Sequence, residues 1–332
     1  MRSEHLRQID AMRNSAQYEP MKPTQSAYRT RKHRNLANAV FGVCATLLLL
    51  QVIPGVAKAS IVVEDETKCP VGGEKFKYMA YASYSTFGAY PDGMPFGSAQ
   101  FPIALPQCPK NGLVMYREFK ADEVTKLSTY IEGPEYQALR AAGETPYYLA
   151  YRTAKMLGDP EPHWLLLPAS WQAKNADPAG PLAQRYNEEY VDAVRSLTAD
   201  AQNFESIAAR FRAANALREL GRFTEAEEMR AAIIIAPDAG GSDADAAENR
   251  EGWAKLVTSL KAPIQRNDTL RAPIDMDSER DAAQRCLSKE IAEKFKLPAQ
   301  PPLTNFEISF CAKPEMEASI AEMKQQIKER DE

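Results

Sequence analysis

Cys69-Pro70-Val71-Gly72-Gly73 returns further along the chain as Cys108-Pro109-Lys110-Asn111-Gly112, and these two Cys-Pro turns decide how the middle of the chain reads. Between them, Phe76, Tyr78, Ala80, Ala82 and Tyr84 alternate with Lys77, Met79, Tyr81 and Ser83. A period of two with aromatic enrichment is the mark of a strand. Ile61-Val62-Val63 forms a short strand leading into the first turn. Pro91-Asp92-Gly93-Met94-Pro95-Phe96-Gly97 is dense in turn formers and reads as an ordered loop. Asn111-Gly112 is a tight-turn signal, and a second strand is expected over Leu113-Val114-Met115-Tyr116. Residues 60–120 therefore read as a small β head.

Working outward, the N-terminus has a different character. Residues 1–59 hold 9 Lys/Arg and 3 Asp/Glu, which leaves 32 against 42, or −10, for residues 60–332. A body that acidic repels phosphate backbones, so no nucleic-acid partner is expected. Arg29, Arg31, Lys32 and Arg34 precede the apolar run Ala39 to Leu50, and Val56-Ala57-Lys58-Ala59 supplies an Ala-x-Ala site. That order predicts a secretory signal peptide over residues 1–59, cut after Ala59. The alternative is an uncleaved anchor, since Leu36 to Ala57 is long enough to cross a bilayer. Export places the chain in the periplasm, or on the periplasmic face of the inner membrane if the segment is retained. Membrane contact is expected only in the second case.

After the head, helix punctuation dominates. Asp122 is placed to cap a helix to about Tyr130. Gly133-Pro134 and Thr145-Pro146 each set a first-turn proline, the second helix ending at Gly158. Trp164 to Trp171 reads as a buried helix bent or shortened by Pro168. Pro181 opens a helix whose Leu182, Tyr186, Tyr190, Val194 and Leu197 form one stripe. Phe204 to Ile235 is a helical hairpin: Ala214 and Ala226 allow close approach, Gly221 makes the turn, and Phe223 fills the wedge. The expected fold class is α+β, mostly helical, with a ribbon-like head (60–120) followed by antiparallel helical hairpins (121–235).

The tail, residues 236–332, starts as an acidic linker from Pro237 to Asp245. A helix with Trp253, Leu256 and Leu260 follows, then a helix from about Ser278 to Phe295 that carries Cys286. Phe306, Ile308 and Phe310 read as a strand ending at Cys311. Met316, Ile320, Met323 and Ile327 fall at helical spacing on a charged segment, expected to lie on the surface. Without the leader the chain keeps Cys69, Cys108, Cys286 and Cys311, an even number in an oxidising space. Four cysteines allow three connectivities, and spacing does not choose among them.

The head resembles a family of uncharacterised bacterial proteins with two Cys-Pro-x-Cys-Gly zinc-ribbon knuckles followed by tetratricopeptide-like helices. Phe76 and the Gly112-Leu113-Val114 run fit that pattern, and the likeness extends more loosely to the hairpin near 207–234. The family implies a structural zinc held by four cysteines. Here Gly72 and Asn111 stand where two of them would be, so the knuckles are degenerate and no metal or cofactor is expected. In a tetrahedral site with Zn–S near 2.3 Å, thiolates of opposing knuckles lie within about 4 Å. Deleting the ion and one sulfur per knuckle leaves a pair close enough to bond, so the resemblance implies a Cys69–Cys108 disulfide. Cys286–Cys311 is the natural second bridge, with cross-pairing left open.

Chemistry is absent from the motif search. The chain has no Gly-x-Ser-x-Gly, His-Glu-x-x-His, glycine-rich phosphate loop, Ser-x-x-Lys or Cys-x-x-Cys. His163, the one histidine beyond the leader, is read as structural rather than as a base. Glu188, Glu189, Glu227 and Glu228 come as sequence neighbours, which do not face each other on a helix. Tyr78, Tyr81, Tyr84 and Phe96, with Tyr90 and Phe101, are candidates for a ligand surface, against the alternative that they pack a small sheet. The expectation is a non-enzymatic scaffold or binding protein with an unknown protein or peptide partner. The contrasting reading is a metal-binding or thiol-redox protein using Cys69 and Cys108.

Overall fold

The computed structural model describes residues 60–298 and 300–329; the leader and its cleavage site lie outside the described residues. The fold is α+β and mostly helical, 56% of the described residues being helix, with two small antiparallel sheets at the front. β1 (Ile61–Lys68) and β2 (Lys75–Ser83) pair as a two-stranded ribbon with Val63 opposite Ala80, Asp65 opposite Tyr78 and Thr67 opposite Phe76. The pleat sends alternate residues to opposite faces, so Phe76, Tyr78 and Ala80 are half-buried while Lys75, Lys77 and Met79 are exposed. β3 (Thr86–Ala89) and β4 (Pro95–Gly97) form a second hairpin around the expected 91–97 loop.

The strand expected over Leu113–Tyr116 reduces to one bridge, between Val114 and Gln107. Pro102, Pro106 and Pro109 remove the N–H groups a longer ladder would need. The segment is instead mostly buried, Leu113 and Val114 being 0% exposed and Met115 half-buried.

Helices follow without interruption. α1 (Ala121–Glu132) begins one residue before the expected Asp122 cap. Lys120 holds the cap position, and the Glu123 carboxylate accepts its N–H at 2.7 Å. α2 (Pro134–Ala141) and α3 (Pro146–Leu157) start at their prolines; the Thr145 hydroxyl caps α3, and left-handed Gly158 ends it. A 3-10 turn (Pro162–Leu165) leads into α4 (Leu166–Ala176). Pro168 therefore falls in the first turn of α4, where its missing N–H has no partner to lose. α5 (Pro181–Arg195) buries Tyr186, Tyr190 and Val194 as expected, while Leu197 lies beyond its end and is 37% exposed. α6 (Phe204–Glu219) and α7 (Phe223–Ala231) make the helical hairpin, with Ala214 and Ala226 both 0% exposed.

Past the hairpin, several expectations change. The 237–245 segment is a packed turn rather than a free linker: Ala239 is 0% exposed, and Arg250 donates to the carbonyls of Ala239 and Gly241 at 2.7 and 2.8 Å. α8 (Ala244–Ser259) sets Trp253 edge-on against Phe211, and α9 (Lys261–Gln265) follows. The helix expected over 278–295 is broken at Leu287 into α10 (Glu279–Cys286) and α11 (Ser288–Phe295). The expected strand through Phe306, Ile308 and Phe310 is α12 (Asn305–Cys311), because Thr304 and Glu307 form a capping box that a short alternating run cannot override. α13 (Pro314–Glu329) lies on the surface as expected, most of its residues exposed, and seats one stripe on the body through Met316, 2% exposed, and Met323, 9% exposed.

One hydrophobic core runs continuously from Cys69 to Ile264, so head and helical body share an interior. A second, smaller core gathers Ile274, Ala282, Ala283, Leu287, Met316 and Met323. Each core carries one disulfide. Cys69–Cys108 spans Cα atoms 5.6 Å apart, and Cys286–Cys311 ties α10 to α12 with Cα atoms 5.7 Å apart. Disulfides persist in oxidising compartments, so the protein belongs to an extracytoplasmic environment. Opening Cys69–Cys108 by replacing both cysteines with alanine is expected to cost ~3–4 kcal/mol through loop closure, and opening the shorter Cys286–Cys311 loop slightly less. Urea titration of the two double variants measures this, and an unchanged midpoint for the first would show that the head does not depend on its cross-link.

Candidate functional site

The two Cys-Pro turns are built alike. The Cys69 N–H donates to Glu74 O at 2.8 Å and the Cys108 N–H donates to Leu113 O at 2.9 Å, each five residues on. The glycine four positions after each cysteine, Gly73 and Gly112, is left-handed, a conformation that costs any other residue a steric penalty. At the position before it, Gly72 brings no side chain. Asn111 donates its amide to Val71 O at 3.0 Å, stitching one turn to the other, while its carbonyl accepts from Leu113 N. The two turns are thus held by the disulfide and by this amide. Among the described residues no group of three or more His, Cys, Asp or Glu is arranged to hold a metal ion.

The four aromatic side chains singled out in the head are distributed, not gathered. Tyr78 pairs with Phe76 and donates to Asp65 at 3.0 Å; burial, then the hydrogen bond to that carboxylate and its charge, push its hydroxyl up to about 12. Tyr81 meets Tyr84 edge-on, and Tyr84 in turn meets Phe101 in the core. Phe96 pairs with Tyr90, over which Arg271 is stacked at 4.8 Å. Only Tyr81 and Tyr84 are brought into contact with each other.

The helical body presents a groove of about 460 Å³ between α3, the 159–163 loop and α5. Tyr151 and Lys155 of α3, Pro160, Pro162 and His163 of the loop, and Glu189, Asp192 and Ala193 of α5 line it, with Ser196 and Leu197 beyond. Asp159 fixes the loop. Its carboxylate accepts from Tyr116 Oη at 2.6 Å and from Arg117 Nη2 at 2.7 Å, and Arg117 also pairs with Glu123. Burial and the bond to Asp159 push the Tyr116 hydroxyl well up, while the Arg117 bond is the main reason the Glu123 carboxyl falls to about 2.

Glu189 and Asp192 stand three residues apart, hence on one face of α5. Glu189 accepts the Tyr148 hydroxyl at 2.8 and 3.0 Å, so it is held in place. Ser196 Oγ donates to Ala193 O at 2.6 Å and is not set as a nucleophile. His163 is 4% exposed and lies against Trp164. Tyr151, Pro160, Pro162 and Leu197 supply the apolar part of the lining, and Lys155 brings one cation to it. This arrangement sets two carboxylates beside apolar surface and one lysine.

A second constellation lies beneath the head. The Asp92 carboxylate accepts from Lys174 Nζ at 3.1 Å, Arg271 Nε at 3.2 Å and its own Met94 N–H at 2.9 Å. Lys174 also pairs with Glu219 at 2.6 Å, and Glu219 accepts from Asn187 and Asn215. Arg218, 0% exposed, donates to Asn215 Oδ1 and to the carbonyls of Asp268 and Leu270. Burial alone would raise the Asp92 carboxyl; Lys174, Arg271 and the Met94 N–H outweigh it and hold it below the usual carboxylate range. None of these residues was singled out from the sequence. The one readable signal was Lys174, a charge on the otherwise apolar face of a helix that begins Leu166-Leu167-Pro168-Ala169-Ser170-Trp171.

The chain matches no known protein-family model, no curated protein and no solved structure.

Removing Lys174 leaves two carboxylates buried, so Lys174→Met is expected to cost ~3–5 kcal/mol in a urea titration. Adding Glu219→Gln should return part of that loss through coupling of ~1–3 kcal/mol. Additive losses would show that the two groups act separately. A second prediction concerns Asp277, whose carboxyl is pushed up to about 7 by burial and then by Asp281, Asp275 and Glu307. Its folded value exceeds its ordinary one, so its contribution is full at low pH and is lost as pH rises through about 7. Asp277→Asn should therefore stabilise the protein by roughly 1–3 kcal/mol at pH 8 and change little near pH 4. Thermal melts at the two pH values decide it, and an equal shift at both would remove the electrostatic cause.

Proposed function

We propose that this is an exported, disulfide-braced scaffold or binding protein of the periplasm, without enzymatic activity, whose helical body presents the α3–α5 groove to a protein or peptide partner. The groove carries this reading: Glu189 and Asp192 share a volume of about 460 Å³ with the apolar surfaces of Tyr151, Pro160, Pro162 and Leu197 and with one cation, Lys155. A site of that form suits an extended basic segment, whose aliphatic stems lie on those surfaces while its charges meet the carboxylates. The acidic balance of residues 60–332 favours the same sign of partner and disfavours nucleic acid.

Two features support a bracing role for the head in preference to metal or redox work. Cys69 and Cys108 are each 1% exposed, which denies an attacking thiolate its path to either sulfur. Asn111, standing where a knuckle cysteine would be, spends its amide on the opposite turn.

The test is fluorescence anisotropy with a labelled peptide of alternating lysine and proline. Asp192→Lys is expected to weaken binding by about tenfold, an effect that high salt also produces in the parent protein. Equal binding by parent and variant would move the partner surface elsewhere. Thiol titration and metal analysis check the bracing: free thiols with stoichiometric zinc would reverse the assignment of the head.

A further inference from the structure

The two disulfides differ in their access to solvent. Cys69 and Cys108 are each 1% exposed, whereas Cys286 and Cys311 are both half-buried. The second bridge also meets a cavity. A groove of about 420 Å³ lies where α12 gives way to α13, and Cys311 is part of its lining. Lys313 and Lys324 line the same groove, with one carboxylate, Glu317, and the apolar side chain of Ile320. Lys313 lies 3.8 Å from Glu315 and Lys324 lies 4.0 Å from Glu290, and all four side chains are between 45% and 66% exposed. Pairs so long and so exposed hold little, which leaves both lysines available to an incoming anion.

The core behind this bridge is small. It consists of Ile274, Ala282, Ala283, Leu287, Met316 and Met323, with Cys286 and Cys311 packed at its edge. A unit of that size depends on its cross-link more than a large core does. The Arg285–Glu307 pair at 2.7 Å is a second tie between α10 and α12, so opening the bridge loosens the unit without dispersing it. The head has more to fall back on. Its turns share the interior that runs from Cys69 to Ile264, and the Asn111 amide joins them beside the disulfide.

We propose that Cys286–Cys311 is a thiol-exchange site, taking an anionic dithiol through the α12–α13 groove, and that its reduction loosens residues 274–329 while the head stays braced. The first thiolate of the reductant forms a bond to Cys311 Sγ as the Cys286–Cys311 bond breaks. Cys286 departs as a thiolate and takes a proton from water. The second thiol of the reductant, deprotonated in turn, displaces Cys311 from the mixed disulfide. The reductant leaves as an internal disulfide, having passed two electrons to the protein, which then holds two thiols. Lys313 and Lys324 favour the approach of the negative reductant and the thiolate that forms at Cys311. This site goes beyond the α3–α5 groove and does not rest on it.

The test uses the purified oxidised protein, any free thiol first blocked with iodoacetamide, and two dithiols that differ in charge, dihydrolipoate and its neutral amide. After timed reduction, tagging with N-ethylmaleimide and peptide mass mapping read each cysteine. Cys286 and Cys311 are expected to be tagged at least about tenfold faster than Cys69 and Cys108, because access to the sulfur sets the rate. Dihydrolipoate should outpace the amide about threefold at low salt, the size of one charge pair ~6 Å apart in water. That advantage should vanish in the Lys313→Gln, Lys324→Gln double variant and at high salt. Salt titration of the parent protein reads the same effect should the variant fail to fold. Equal tagging of the two bridges overturns the exchange site, and an advantage that is absent or that survives high salt overturns the groove as its entrance. Limited proteolysis after selective reduction is expected to cut first within residues 274–329; unchanged resistance there overturns the loosening.

Discussion

Lys174 Nζ lies between two carboxylates that come from distant parts of the chain, Asp92 in the head hairpin and Glu219 at the end of α6. A cation and two anions that lie almost wholly out of water are tolerated only in one arrangement, since each loses its hydration and must recover it from the others. That requirement positions the β3–β4 turn on α4 and α4 on α6. Arg271 extends it, reaching the same Asp92 oxygen while donating to Asn175, and Arg218 closes the connector by binding two of its carbonyls. The network adds little net stability over an apolar core of equal volume. Its effect is on specificity, because any other docking of the head strands a charge.

The functional surfaces are consequences of that docking. With the head fixed, Tyr116 and Arg117 at its end reach Asp159, and Asp159 holds the proline-bounded loop that walls the groove. The cross-link between Cys69 and Cys108 locks the ribbon's turn to the body, while Tyr81 and Tyr84 pack its other end toward Phe101 and the core. Groove and ribbon are thus set by two separate devices, one electrostatic and one covalent.

How much of this was legible in the sequence depends on the range of the interaction involved. Thr145-Pro146 and Gly158 bound a helix through contacts made within one turn, and they bound it in the fold. The hairpin around Gly221 was readable for the same reason. Phe306, Ile308 and Phe310 misled because alternation over so short a run is weaker than the Thr304–Glu307 capping box beside it. Leu113–Tyr116 misled because a buried run is apolar whether or not its backbone joins a ladder. The aromatic residues of the head were visible as a cluster in sequence, yet the ribbon and the second hairpin carry them to different neighbours.

Residue order by itself determined the class of the fold, most helix starts, the acidity of the body and the presence of two matched Cys-Pro turns, since all of these rest on neighbours within a few positions. The tertiary structure alone decided which cysteines are joined, that one interior runs from the head through the helices, and that Glu189 and Asp192 share a groove with Tyr151, Pro160 and Pro162. It also made Asp92, Lys174 and Glu219 into a unit. Their separation along the chain is large, and a charge carries no mark of its partner until burial removes the water that would otherwise serve in its place.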